Sequence, residues 1–116
     1  MPEPTSAKPL TLDIDRSGAA AVVHCHGRLI AGVGEHLYAQ VKPLLHDYKR
    51  VVLDLTDLTH VDSMGLGALV RLYVSSRSAG CELVLMNLGM QVRKALAVTN
   101  LLSVFAIIGE HGIKMG

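Results

Sequence analysis

The chain has 116 residues, half of them hydrophobic but only 3% aromatic and none tryptophan, so one domain with an aliphatic core fits and a second domain does not. Its 11 basic and 10 acidic residues leave a formal net charge of +1, which gives no basic footprint for nucleic acid. The longest apolar window, residues 98–108, is broken by Thr99, Asn100 and Ser103 and falls short of the roughly 18 to 20 apolar residues that span a bilayer.

Residues 1–9 are proline-rich, with neither a basic start nor an apolar core, and read as a flexible arm rather than a secretory signal; residues 10–116 form the domain. Leu10 to Asp15 alternates apolar and polar residues like a half-buried strand, and Arg16-Ser17-Gly18 makes a turn. Ala20 to Leu29 is a second strand, with Ala21, Val23, Cys25 and Leu29 on one face and Val22, His24, His26 and Arg28 on the other. The two strands make a hairpin.

Gly32 and Gly34 open a loop, after which Val33, Leu37, Val41, Leu44, Leu45 and Tyr48 recur at helical spacing. Pro43 inside this run predicts a kink or restart, because an interior proline removes one backbone hydrogen bond. Val51 to Leu55 is almost wholly aliphatic and predicts a central strand covered on both faces, followed by a polar loop. A second helix carries Leu66, Leu69, Val70 and Tyr73 and ends near Ala79-Gly80. Cys81 to Met86 is a further strand, a third helix carries Val92, Ala95, Leu96 and Thr99, and residues 104–108 form a last strand. The element order is β-β-α-β-α-β-α-β, which predicts a single α/β domain with a mixed β-sheet whose parallel core packs against helices.

The chemistry concentrates where the central strand gives way to the second helix, at Asp62-Ser63-Met64-Gly65-Leu66-Gly67. Asp and Ser are residues a helix N-terminus prefers, so either Asp62 or Ser63 can cap it. Gly65-Leu66-Gly67 lacks the Gly-Lys-Ser/Thr of a P-loop and the third glycine of a dinucleotide site. His60, Asp62 and Ser63 do not make a triad, since three residues so close in sequence are poorly placed for it and no G-x-S-x-G elbow is present. His24 and His26 lack a third ligand at metal spacing, so no metal site is expected. Asp54 reads as a solvated strand end and Asp57 as a turn residue. Cys25 and Cys81 read as small, reduced core residues of a cytoplasmic protein. No catalytic residue and no cofactor are expected.

The run Val52-Leu53-Asp54-Leu55 followed by Leu58 to Gly67 resembles the STAS domain, the module shared by bacterial anti-sigma factor antagonists and sulfate-transporter tails. Asp62-Ser63-Met64-Gly65-Leu66-Gly67 is similar to its D-S-x-G-L-G signature, Gly27-Arg28-Leu29 to its G-x-L strand end, and Gly80-Cys81-Glu82-Leu83 to the G-x-x-L that leads into a later strand. The likeness extends over roughly residues 10 to 108.

The resemblance implies a STAS fold and a non-enzymatic regulator. Ser63 would be phosphorylated by an anti-sigma factor that is also a serine kinase, and a separate phosphatase would reverse the modification. Residues 62–67 would form the partner-binding surface, with Gly65 and Gly67 keeping it low. Ile30 stands where phosphorylatable members usually carry an acidic residue, and Met64 where the family often has a small polar one. Two alternatives share the fold: a constitutive adaptor subunit of a membrane transport complex, and a small-ligand or nucleotide-binding domain. Neither nucleic-acid binding nor insertion into a membrane is implied. The family's closing helix is expected to be short or absent.

Overall fold

The computed structural model describes residues 9–108. The expected arm, apart from Pro9, and the expected short C-terminal end both lie outside the described residues. Eight elements follow in the predicted order: β1 (Leu10–Asp15), β2 (Ala21–Leu29), α1 (Gly34–Asp47), β3 (Arg50–Val61), α2 (Ser63–Ala79), β4 (Glu82–Met86), α3 (Met90–Val98) and β5 (Ala106–Ile108). The five strands form one mixed sheet in sequence order, β1-β2-β3-β4-β5. β1 and β2 pair antiparallel, as the hairpin reading requires, and every later pair is parallel.

Each parallel pair is joined through a helix, and a constant step across the sheet with right-handed crossovers sets the helices on one face. The core follows that geometry. Leu37, Val41, Leu44 and Leu45 of α1, Leu66, Leu69 and Leu72 of α2, and Val92 and Leu96 of α3 form one buried cluster with Val23, Cys25, Leu53, Leu55 and Leu85 from the strands. The aliphatic composition is thus absorbed by a single layer between sheet and helices. On the opposite face Val52 lies between Val22 and Val84 in the ladder, and both Val52 and Val84 are buried. β3 is the middle strand of the five, as expected.

Two expectations fail. The polar stretch after Leu55 is not a loop, because β3 is 12 residues long in all, continues to Val61 and stays paired with β2 to its end. The register explains the misreading. Between His24 and His26 of β2, β3 advances from Asp54 to Asp57, and between Gly27 and Arg28 it advances from Leu58 to His60. Each shift gives β3 one extra residue, as a bulge does, so the two-residue alternation that marks a strand is broken twice while Leu58 and Val61 remain buried. Helix α1 also does not restart at Pro43, which is exposed, and the helix continues through it to Asp47. The carbonyl of Ala39 faces a residue without an N–H, so Pro43→Ala should restore a hydrogen bond. The expected gain is about 1 to 2 kcal/mol in urea denaturation, and a variant no more stable than the parent would refute it.

The other boundaries fall within a residue or two of expectation. Gly80 ends α2 with φ of 72°, the left-handed conformation that a glycine adopts without strain, and its N–H reaches back to the helix carbonyls. The buried side of α2 is rotated from the expected stripe. It includes Ala68, Leu72 and Ser76, whereas Val70 and Tyr73 are half-buried. Ser76 survives burial because its hydroxyl donates to the Tyr73 carbonyl at 2.7 Å.

Candidate functional site

The overhang of β3 beyond β4 carries the start of α2 to the rim of the sheet beside the end of β2. Asp62 is the joint. Its backbone is extended, and one carboxylate oxygen accepts the Gly65 N–H at 2.9 Å, so it is the N-cap of α2. The other oxygen accepts the Ala31 N–H from the loop after β2, also at 2.9 Å. The N–H of Asp62 donates to the Leu29 carbonyl at 3.2 Å. Donation from Gly65, then from Ala31, holds the Asp62 carboxyl below its ordinary range.

Gly65 completes the joint. A methyl group at this position would overlap the Leu29 carbonyl oxygen and stand 2.8 Å from the Leu29 Cγ. Gly65 and Leu66 are therefore buried and shape the surface from beneath, while Ser63, Met64 and Gly67 are exposed. Around Gly67 a methyl would meet nothing within 4 Å.

Ser63 is the first helical residue and is exposed. With Asp62 as the cap, its hydroxyl keeps no hydrogen-bond partner among the described residues. Met64 beside it is 65% exposed, an apolar side chain facing solvent at a helix end.

Ser63 stands between two clefts. The first, about 380 Å³, is walled by Gly32, Gly34 and Glu35 from the α1 side and by Met64, Gly67, Ala68 and Arg71 from α2. Arg71 pairs with Glu35 and lies over the Tyr38 ring, 4.2 Å from its centroid, and the Tyr38 hydroxyl shares a 2.8 Å hydrogen bond with Ser75. The second, about 450 Å³, is walled by Val61, Asp62 and Leu66 on one side and by Gln91, Lys94, Ala95, Val98 and Thr99 on the other.

Residues 62–67 are thus brought together at one helix end, and the other candidates lie apart from it. His60 Nδ1 bonds to the Thr59 hydroxyl at 3.0 Å and makes no hydrogen bond to Ser63 or Asp62 among the described residues, so no Ser-His-Asp relay forms. Burial pushes the Cys25 thiol up to about 12 and also raises the Cys81 thiol, which disfavours a thiolate at either.

Asp54 corrects the expectation of a solvated strand end. Its side chain is 13% exposed, it pairs with His24 Nδ1 at 2.7 Å, and it accepts the N–H and hydroxyl of Thr56. Burial opposes its charge, but the hydrogen bonds from Thr56 and His24 outweigh that and hold its carboxyl low. His26 bridges Asp13 of β1 and Asp57 of β3, at 3.1 and 3.0 Å. Sequence reasoning missed this cross-strand ladder. The sequence shows only part of the signal, His24 and His26 two residues apart and Asp13 and Asp15 likewise on β1, because on β3 a register shift spaces Asp54 and Asp57 three apart. Among the described residues no group of three or more His, Cys, Asp or Glu is placed to hold a metal ion.

Comparison with known proteins agrees with the architecture. The fold is similar to that of an anti-sigma factor antagonist from Mycobacterium paratuberculosis, with a TM-score of 0.75 at 19% identity over 84% of each chain. It is also similar to the Bacillus cell fate determinant SpoIIAA in its phosphorylated form, with a TM-score of 0.65 at 15% identity over 84% of this chain and 90% of that one. A sulfate transporter family protein from Wolinella succinogenes matches with a TM-score of 0.68 at 17% identity over 78% of each chain. At such identities the likeness is one of fold. The family model for the STAS domain matches residues 11–112, and on that match the chain belongs to the STAS domain family.

Proposed function

We propose that the chain is an anti-sigma factor antagonist-like regulator, a cytoplasmic binding protein without catalysis of its own, whose Ser63 surface docks a kinase-type anti-sigma factor. The observation that carries the reading is Ser63 itself: exposed, first in a 17-residue helix, and relieved of capping by Asp62. In phosphorylation the Ser63 oxygen takes the γ-phosphoryl group of ATP, its proton passes to a base of the kinase, and ADP leaves. The helix end tolerates the product, because the phosphate stands at the positive end of the dipole, although the Gly65 and Leu66 N–H groups are already taken by Asp62. The surface gains roughly −1.5 to −2 charges beside the apolar Met64, and a partner seated there is expelled. A phosphatase removes the group and restores docking. The fold shared with an antagonist and with the phosphorylated form of SpoIIAA supports this reading.

A second reading, a constitutive adaptor of a membrane transport complex, draws on the fold shared with the sulfate transporter family protein and on exposed Met64, which suits an apolar partner with or without phosphate. Among the described residues no helix is long and apolar enough to cross a membrane, so such an adaptor would act through its partner. One binding assay separates the two. With the kinase encoded nearest the gene as the captured partner, Ser63→Ala should bind within about twofold of the parent, and Ser63→Asp should bind at least tenfold more weakly. Equal affinity of the two variants, or a Ser63 that stays unmodified by mass spectrometry after incubation with that kinase and ATP, would reject the switch.

A further inference from the structure

The two clefts beside Ser63 differ in charge, Glu35 and Arg71 lining one and Lys94 the other. On the α1 side the cation is already committed: Arg71 is paired with Glu35 and held against Tyr38. Glu35 is itself 78% exposed and would repel a dianion entering there. On the α3 side Lys94 is exposed and has no hydrogen bond or ion pair among the described residues. Gln91, one turn earlier on the same wall, adds amide donors. The helix end attracts a phosphate equally from both sides and so does not choose between them. Asp62 adds a negative charge at the base of the site, although both its oxygens are engaged with backbone N–H groups. A cation is therefore wanted, and Lys94 is the uncommitted one of the two that line these clefts.

We propose that Lys94 receives the phosphate of phosphorylated Ser63, drawing it into the cleft between α2 and α3 and away from α1. The proposal rests on Ser63 being a phosphorylation site. It gives α3 a part in the switch: the modified serine and Lys94 close over the cleft that Val98 and Ala95 line, so the surface altered by phosphorylation spreads from α2 to α3.

The test uses the full chain with phosphoserine installed genetically at position 63. The titration therefore judges Lys94 without a kinase, and the partner assay above judges the switch. Phosphorus NMR follows the second ionisation of the phosphate, which lies near ~6 for an isolated phosphoserine. Lys94→Met should raise it by about 0.5 pH unit relative to the parent at low salt, Lys94→Arg should retain the parent value, and the difference should shrink in about 1 M salt. Arg71→Met should shift it by less than Lys94→Met. Because Lys94 is exposed, the unphosphorylated Lys94→Met chain should melt with the parent. Superimposed titrations of the parent and Lys94→Met, or a larger shift from Arg71→Met, would overturn the proposal.

Discussion

Gly65→Ala should lower stability by about 3 kcal/mol and the melting temperature by ~10 °C. Helix propensity alone predicts the opposite sign, a gain of up to about 1 kcal/mol for Gly→Ala inside a helix. Contact decides against propensity. The new methyl group would overlap the Leu29 carbonyl oxygen and stand 2.9 Å from the carbonyl carbon, and backbone at the end of a central strand pair cannot swing aside as a side chain can. The first turn of α2 must lift instead. Lifting stretches the Asp62 N–H to Leu29 bond and the bond from Ala31 to the Asp62 carboxylate, so the cost extends beyond one overlap. Gly67→Ala is the matched control, with open space around the added methyl, and should gain about 0.5 to 1 kcal/mol. Urea denaturation of both variants gives the answer. If Gly65→Ala is as stable as Gly67→Ala, the tight seat of α2 on β2 is not what this glycine serves.

That pair of glycines also shows which parts of the fold the sequence discloses. In the sequence Gly65 and Gly67 look alike, and the resemblance to the STAS domain implies for both a surface kept low for a partner. Only the tertiary placement of Leu29, 36 positions earlier in the chain, separates a packing glycine from an exposed one. Local signals fared well where one element decides the outcome: the alternation of β1, the aliphatic run that begins β3, and the Ala79-Gly80 stop of α2 all reappear with shifts of a residue or two. They fared poorly where a neighbour decides. The strand pattern of β3 stops at Leu55 because two extra residues against β2 hide the alternation beyond it, and Pro43 suggests a restart of α1 where the helix in fact continues to Asp47. At the site, Asp62 and Ser63 were both legible as helix-start residues, but which of them caps was not. The second bond of Asp62, to Ala31, depends on a loop brought in by β2, and it fixes the division of labour between a structural aspartate and a free serine hydroxyl. The His24–Asp54 and Asp13–His26–Asp57 contacts were hidden for the same reason, since they need the strand register to be known.

Asp62→Ala should melt ~5 °C below the parent at pH 7, and the gap should close as the solution is acidified. The substitution removes an acceptor from two backbone donors at once, the Gly65 N–H at the start of α2 and the Ala31 N–H after β2. The sign of the pH effect follows from the direction of the shift. Folding holds the Asp62 carboxyl below its ordinary value of 3.8, so the unfolded chain takes up the proton first on acidification. Its contribution is fully present above that value and is lost as pH falls through the lower value of the folded state. Parent and variant should therefore stay parallel above about pH 5 and converge as the pH falls below 3.8 through the lower value of the folded state. Asp62→Asn separates charge from shape. Its amide oxygen can still accept from Gly65, but its NH₂ would meet the Ala31 N–H donor to donor, so it should melt below the parent and lack the acid convergence. The consequence for function runs through the same joint. With Ala31 released, the Gly32–Gly34 wall of the cleft beside Ser63 loses its tie to α2, and affinity for the partner should drop in Asp62→Ala even though Ser63 and Met64 are intact. A variant that melts with the parent at pH 7, or whose deficit does not narrow on acidification below 3.8, would show that the Asp62 carboxylate does not join the strand end to the helix on which Ser63 stands.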